Sequence, residues 1–165
     1  MLTCHEIFGF MPATLAVGIL DATFQADKPT YRTALSAVAG ARKVRPEFFL
    51  KKPKTERHPA MLAVLAAPRM EEMAALLLRQ WLTISQPAML VDFLNRLGIP
   101  HRDGIVDQFP AAVEDAALRT AVEELLAKYP EKHVAVYLHC LLAMKLVDWP
   151  NLRALMQQDQ RLQLG

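Results

Sequence analysis

Three side chains that could bind a metal ion or transfer protons lie close together in the sequence, at His101, Asp103 and Asp107. Imidazole and carboxylate groups are common ligands of divalent cations and common general acids and bases. All three belong to a stretch of about a dozen residues, 98–109, that lacks a helical pattern, and long loops inside helical domains are often functional. The loop is therefore a candidate site.

The same loop also has a purely structural interpretation. Gly98 is well placed to end the preceding helix in a left-handed conformation. Asp103-Gly104 is a common turn sequence, and Asp107 lies near the expected start of the next helix, where a carboxylate is favourable. The sequence alone leaves both interpretations open.

Other metal or nucleophile patterns are weak. Cys4-His5 and His139-Cys140 are adjacent pairs, and neighbouring helical residues point about 100° apart, so each pair offers one ligand at most. Cys140 lies in an apolar segment and is expected to be a small buried residue. No glycine-rich phosphate loop or activated serine motif occurs among six glycines and two serines. We expect no catalytic residue, no metal and no cofactor.

The strongest charge feature is the segment 42–57, which carries seven basic and two acidic residues. Its net charge of +5 leaves the rest of the chain at −3, because the whole chain has a net charge of +2. Arg42 and Lys43 are explained by the end of a helix, where cations interact favourably with the dipole. Phe48-Phe49-Leu50 is expected to anchor the segment to the core. The remaining cations are predicted to lie on an exposed loop: Lys51, Lys52, Lys54 and Arg57.

Such a loop could bind a nucleic acid non-specifically, an acidic protein or an anionic lipid, or it could be a solvated linker. Sequence-specific nucleic-acid recognition would need a recognition helix or stacking aromatic residues, and neither is evident. Binding to an anionic partner through 42–57 is therefore the alternative function, and nucleic acid is the less favoured partner.

The elements that position these residues are predicted to be helices. Prolines mark the expected helix starts, including Pro59 and Pro110. In Asp27-Lys-Pro29, Ser85-Gln-Pro87 and Asp148-Trp-Pro150, an N-cap residue precedes a first-turn proline. Apolar residues then recur with helical spacing, as at Tyr31, Ala34, Leu35 and Val38, and the segment 131–147 is apolar nearly all round. No segment alternates as a strand would. We predict an all-α fold, a compact bundle of about eight or nine short helices, with solenoid-like helix pairs as the alternative.

Length and composition limit the remaining choices. A chain of 165 residues suits a single domain, and any division is expected near residue 53. No apolar run reaches the about 18–20 residues that span a bilayer, and the N-terminus lacks the basic start of a secretory signal. Two cysteines do not make a disulfide framework, so a cytoplasmic setting is expected.

The apolar fraction of 53% indicates either a core that is large for the length or an apolar surface that a partner covers. We therefore expect a non-catalytic accessory or interaction protein acting through protein–protein contacts, with a homodimer as one form of such contact.

Overall fold

The computed structural model describes residues 1–165 and contains ten α-helices and no β-strand, which confirms the predicted all-α class. The chain divides into two compact units. The N-terminal unit is Thr3–Trp81, and the C-terminal unit is Leu82–Gly165 together with Met1–Leu2. Residue 53 lies inside the N-terminal unit. None of the helices combines the length and apolar character that crossing a membrane requires.

The N-terminal unit is built from six α-helices and a 3-10 turn, Pro68–Met70. The helices are α1 (Cys4–Phe10), α2 (Ala13–Ala26), α3 (Lys28–Ala41), α4 (Pro46–Leu50), α5 (Lys54–Leu65) and α6 (Glu71–Gln80). Helix α3 begins as predicted, because Asp27 Oδ1 accepts the Thr30 backbone N–H at 3.2 Å and Pro29 lies in the first turn. Its predicted apolar stripe is buried: Tyr31, Ala34, Leu35 and Val38.

Helix α5 begins earlier than the prolines predict. Pro59 was expected to start a helix, but it lies inside α5, which begins at Lys54 directly after the extended residue Pro53. The face of α5 that carries Arg57, Met61 and Leu65 has the spacing of successive helical turns, and all three side chains are buried. Burial of this face, where α5 packs against α2 and α3, extends the helix across a position that proline disfavours.

The C-terminal unit begins within a π-helical turn at Trp81–Ser85. It contains α7 (Pro87–Arg96), α8 (Asp115–Lys128), α9 (Glu131–Ala143), α10 (Pro150–Gln158) and a 3-10 turn, Gln160–Leu162. Helix α9 is the centre of this unit, with residues 134–138 and 140–142 all buried. This confirms the prediction that the segment is apolar on most of its faces.

The loop after α7 is longer than predicted. It runs from Leu97 to Glu114, because α8 begins at Asp115 rather than near Pro110. In residues 110–113, two backbone carbonyl groups accept hydrogen bonds from side chains rather than from the backbone of a helix. Trp149 Nε1 donates to the Pro110 carbonyl at 2.9 Å, and Asn151 Nδ2 donates to the Val113 carbonyl at 2.8 Å. The prediction that Asp107 lies near a helix start is therefore wrong.

The two glycines of this loop behave as predicted. Gly98 has a φ of 66° at the end of α7, where Gly98 N donates to Asn95 O and Ile99 N donates to Leu94 O, the two bonds of a Schellman motif. Asp103 and Gly104 have φ values of 52° and 89° between Arg102 and Ile105, which exchange two backbone hydrogen bonds. This is a tight turn with a left-handed central pair, as Asp-Gly favours.

Candidate binding site on the N-terminal unit

The four cations predicted to share an exposed loop occupy different environments. Lys51 follows the end of α4, Lys52 lies in the link to α5, and Lys54 is the first residue of α5. Arg57 is only 6% exposed, so its assignment to an exposed loop is wrong. The physical reason is the early start of α5, which places Arg57 on the face of the helix that packs into the unit.

Three cations surround the aromatic ring of Phe24, a residue near the end of α2. Lys54 Nζ lies 3.8 Å from the ring centroid, Arg57 Cζ lies 5.8 Å from it and Lys28 Nζ lies 5.9 Å from it. Arg57 Cζ is also 5.8 Å from the centroid of Tyr31, whose ring meets Phe24 edge-on. The negative faces of aromatic rings attract cations. We call Phe24, Lys28, Lys54 and Arg57 the Phe24 cluster.

The guanidinium of Arg57 has no acidic partner. It forms no ion pair, and its buried Nε has no hydrogen-bond partner. Buried arginines are normally paired, because a desolvated charge without compensation costs free energy. Lys28 and Lys54 likewise form no ion pair with a carboxylate. The cluster therefore concentrates positive charge that the unit itself does not neutralise.

An apolar groove adjoins the cluster. It has a volume of about 420 Å³ and is lined by Phe24, Lys28, Tyr31, Arg32, Leu35, Ser36, Pro46 and Leu50. On the α4 side two large apolar side chains reach solvent, with Phe48 at 50% and Leu50 at 52% exposure. Lys52 Nζ lies 5.0 Å from the Phe48 ring centroid. The predicted anchoring role of 48–50 is thus carried by Phe49 alone, which is fully buried.

A polar network lies beneath this surface. His58 Nε2 is 2.7 Å from the Tyr31 hydroxyl, and His58 Nδ1 is 2.8 Å from Asp21 Oδ1, close but poorly aligned for a hydrogen bond. Burial lowers the pKa of His58, although the Asp21 carboxylate opposes the shift, so the neutral imidazole is favoured. With the proton on Nδ1 beside Asp21, Nε2 accepts from Tyr31. Burial also raises the pKa of Tyr31, which keeps its hydroxyl protonated.

This Asp–His–Tyr arrangement supports packing rather than nucleophilic chemistry. Asp21 belongs to α2, Tyr31 to α3 and His58 to α5, so the network joins three helices. Both His58 and Tyr31 are almost completely buried. A nucleophile must be activated and reach its substrate, whereas the Tyr31 hydroxyl is buried and has a raised pKa.

The loop residues of the C-terminal unit do not converge on one centre. His101 accepts the Gly104 N–H through Nδ1 at 3.0 Å, and its Nε2 lies 2.7 Å from Asn95 Oδ1, so the ring has a structural role. Asp103 lies in the turn, and Asp107 pairs with the highly exposed Arg102 at 3.5 Å. A groove of about 570 Å³ is lined by other residues of the same loop and includes none of the three candidates. No group of three or more His, Cys, Asp or Glu residues is arranged to hold a metal ion.

The cysteine and histidine pairs also have separate local partners. Glu71 accepts the backbone N–H groups of Cys4 and His5 at 2.9 and 2.8 Å. Burial and the nearby Glu71 carboxylate raise the pKa of the Cys4 thiol to about 12, so it is unreactive. Cys140 is buried, as predicted, and His139 Nε2 lies 3.1 Å from the Leu162 carbonyl.

Sequence reasoning missed most of the Phe24 cluster. Phe24 and Lys28 lie outside the basic segment, and Arg57 was assigned to a loop. Helical periodicity could have indicated the burial of Arg57, because Arg57, Met61 and Leu65 share one face if the helix starts before Pro59. The pairing of α5 with α2 and α3 has no comparable signal.

Comparisons with known proteins return nothing that assigns a role to this surface. No protein-family model, no curated protein and no solved structure matches the chain.

Proposed function

We propose that this chain is a non-catalytic interaction protein that binds a segment of a protein partner on the surface formed by α3, α4 and the start of α5. The partner segment carries both acidic and apolar side chains. The observation that supports the proposal is an apolar groove lined by the exposed Leu50, with the exposed Phe48 on the same short helix and unpaired cations around the groove.

Charge complementarity identifies the kind of partner. None of the seven basic residues in 42–57 forms an ion pair within the chain, and neither do Lys28 and Arg32. Several cations of the C-terminal unit are paired, including Arg96, Arg102 and Lys128. Unpaired charge on one surface steers an oppositely charged partner, while the exposed apolar side chains supply burial energy on docking.

The apolar component favours a protein segment over a nucleic acid. Aliphatic side chains such as Leu35 and Leu50 line the groove, and they match apolar side chains better than they match phosphates. A nucleic acid would use the same cations through its phosphates, but with affinity governed chiefly by salt concentration. The proposed setting is cytoplasmic, because both cysteines are free thiols.

The test begins with a random peptide library displayed against the purified protein. We expect the selected peptides to combine Asp or Glu with Leu, Ile, Phe or Trp. A selected peptide is then labelled, and its affinity is measured by fluorescence anisotropy. Three comparison ligands complete the series: the peptide with its acids changed to amides, the peptide with its apolar residues changed to serine, and a single-stranded oligonucleotide.

The decisive variant is Phe48→Ser/Leu50→Ser, since both side chains are exposed and their replacement spares the core. We expect it to weaken peptide binding about tenfold or more. Ile105→Ser/Leu146→Ser is the matched control, because it also removes two exposed apolar side chains, here from the C-terminal unit. Equal losses in both variants, or tight oligonucleotide binding without peptide binding, would overturn the proposal.

Self-association is a further readout of the same surface. Should a second copy occupy the groove, light scattering would show a dimer that Phe48→Ser/Leu50→Ser dissociates and the control variant does not. That result would replace the partner segment by a second copy of this chain.

A further inference from the structure

The Phe24 cluster has the composition of an anion site with an apolar compartment beside it. Its three cations lie within 6 Å of one ring centroid, and none has a carboxylate partner. We propose that the cluster binds the carboxylate of a small apolar carboxylic acid, whose hydrocarbon body lies in the adjoining groove. This small-molecule site does not depend on the protein docking proposed above.

The case for an anion rests first on Arg57. Its side chain is more than nine-tenths buried, and its Nε donor has no hydrogen-bond partner. A nearly buried guanidinium without an acidic partner costs free energy, and a carboxylate bound beside it would offset that cost. The planar guanidinium also presents its donors in a geometry that matches carboxylate oxygens. The Asp21 carboxylate does not neutralise Arg57, because it lies 2.8 Å from His58 Nδ1 and forms no ion pair with Arg57.

The start of α5 provides a second contribution. Lys54 and Arg57 lie in its first turns, and the N-cap position is occupied by Pro53, which has no side-chain acceptor. Backbone N–H groups at a helix N-terminus are oriented toward bound anions, and the helix dipole adds positive potential there. The helix start and the three side chains therefore favour the same sign of charge.

The groove indicates what the anion is attached to. Phe24 and Lys28 belong both to the cluster and to the groove lining, whereas Lys54 and Arg57 lie beside the groove around the Phe24 ring, so a ligand whose body fills the groove meets the cluster at Phe24 and Lys28. The groove volume of about 420 Å³ falls within the range of about 300–1,000 Å³ that holds small molecules. A single carboxylate also loses less hydration on entering this aromatic surrounding than a doubly charged phosphate does. An aliphatic or aromatic acid is the ligand class that fits.

The experiment measures the binding of hexanoate to the full-length protein at constant ionic strength. Acetate, 1-hexanol and inorganic phosphate are the comparison ligands, since they lack the chain, the charge and the apolar body respectively. Isothermal titration calorimetry gives the affinities. In parallel, NMR spectra of ¹⁵N-arginine-labelled protein follow the Arg57 Nε–H signal, which is expected to move downfield as it donates to the carboxylate.

The test variant is Lys28→Met/Lys54→Met, which removes two exposed cations of the cluster and leaves the buried Arg57 in place. The matched control is Arg42→Met/Arg69→Met, which removes two exposed charges from the same unit at positions outside the groove lining. We expect hexanoate affinity to fall about tenfold or more in the test variant and to change less than about twofold in the control.

Three outcomes would overturn the proposal. The first is hexanol or phosphate binding as tightly as hexanoate. The second is an equal loss of affinity in the test and control variants. The third is an unchanged Arg57 signal at saturating hexanoate. Because no protein partner is present in these measurements, their failure would leave the peptide-docking proposal standing, and the reverse also holds.

Discussion

The Nε2 atom of His58 lies 2.7 Å from the hydroxyl oxygen of Tyr31, in a part of the N-terminal unit where neither side chain has appreciable solvent exposure. The contact joins α5 to α3, and Asp21 extends it to α2. A buried polar pair of this kind is costly to break, because neither group can turn to water instead. It is therefore a sensitive probe of how the N-terminal unit is held together.

Replacing Tyr31 by phenylalanine tests this contact directly. Tyr31→Phe removes the hydroxyl and leaves His58 Nε2 buried without a partner, so we expect the free energy of unfolding to fall by about 1–3 kcal/mol. Urea denaturation followed by circular dichroism measures the change. Tyr137→Phe is the control, since Tyr137 is also a buried tyrosine but does not belong to the Asp21–His58–Tyr31 network. Equal effects of the two changes would contradict the importance of the His58–Tyr31 contact.

Stability is expected to decline on mild acidification. Burial lowers the pKa of His58 below its ordinary value of 6.5, so the unfolded chain binds the proton more readily than the folded chain does. The contribution of His58 is fully present above pH 6.5 and is lost as the pH falls from there toward the lowered folded pKa. His133 and His139 act in the same direction in the C-terminal unit.

The variant His58→Gln separates these contributions, because glutamine does not titrate. Denaturation curves at a series of pH values between neutrality and pH 5 are expected to show a smaller loss of stability in the variant than in the wild type. An identical pH dependence in both proteins would rule out His58 as a source of the effect.

Glu71 is predicted to stabilise the N-terminal end of α1 from a distant position in the chain. Its two carboxylate oxygens accept the backbone N–H groups of Cys4 and His5, and Oε2 also lies 2.6 Å from His5 Nδ1. We expect Glu71→Ala to lower the free energy of unfolding by about 1–2 kcal/mol, as the loss of an N-cap does. The adjacent and exposed Glu72 gives the control, Glu72→Ala, for which chemical denaturation should show little change.

Two loop glycines should differ in their tolerance of alanine. Both have positive φ values, so Gly98→Ala and Gly104→Ala each introduce backbone strain of about 1–2 kcal/mol. A Cβ at position 98 meets open space, whereas a Cβ at position 104 would lie 3.2 Å from Leu90 Cβ. Thermal denaturation is expected to rank Gly104→Ala as the more damaging change. The opposite ranking would show that the turn relaxes more readily than the end of α7.

Local sequence signals determined most of the secondary structure. Asp27 with Pro29 begins α3, Pro87 begins α7 and Gly98 ends it, because capping and the restricted φ of proline act within a few residues. The apolar stripe of α3 and the burial of α9 followed from helical periodicity. These features depend on neighbours along the chain, which the sequence displays directly.

The start of α8 and the placement of Arg57 depended on the tertiary structure. Pro110 opens no helix because Trp149 and Asn151, distant in sequence, bond to the backbone of 110–113. Lys54 to Arg57 are helical despite Pro59, since one face of α5 is buried against α2 and α3. Local propensity is a weak preference that such packing overrides.

The sequence by itself determined that this chain is all-helical and that its positive charge is concentrated in 42–57. Only the tertiary structure brought Phe24 and Lys28 beside Lys54 and Arg57, and opened an apolar groove next to them. The physical reason is that charge and periodicity are properties of a segment, whereas a binding site is a set of distances between segments. Those distances are set by how α2, α3, α4 and α5 pack together.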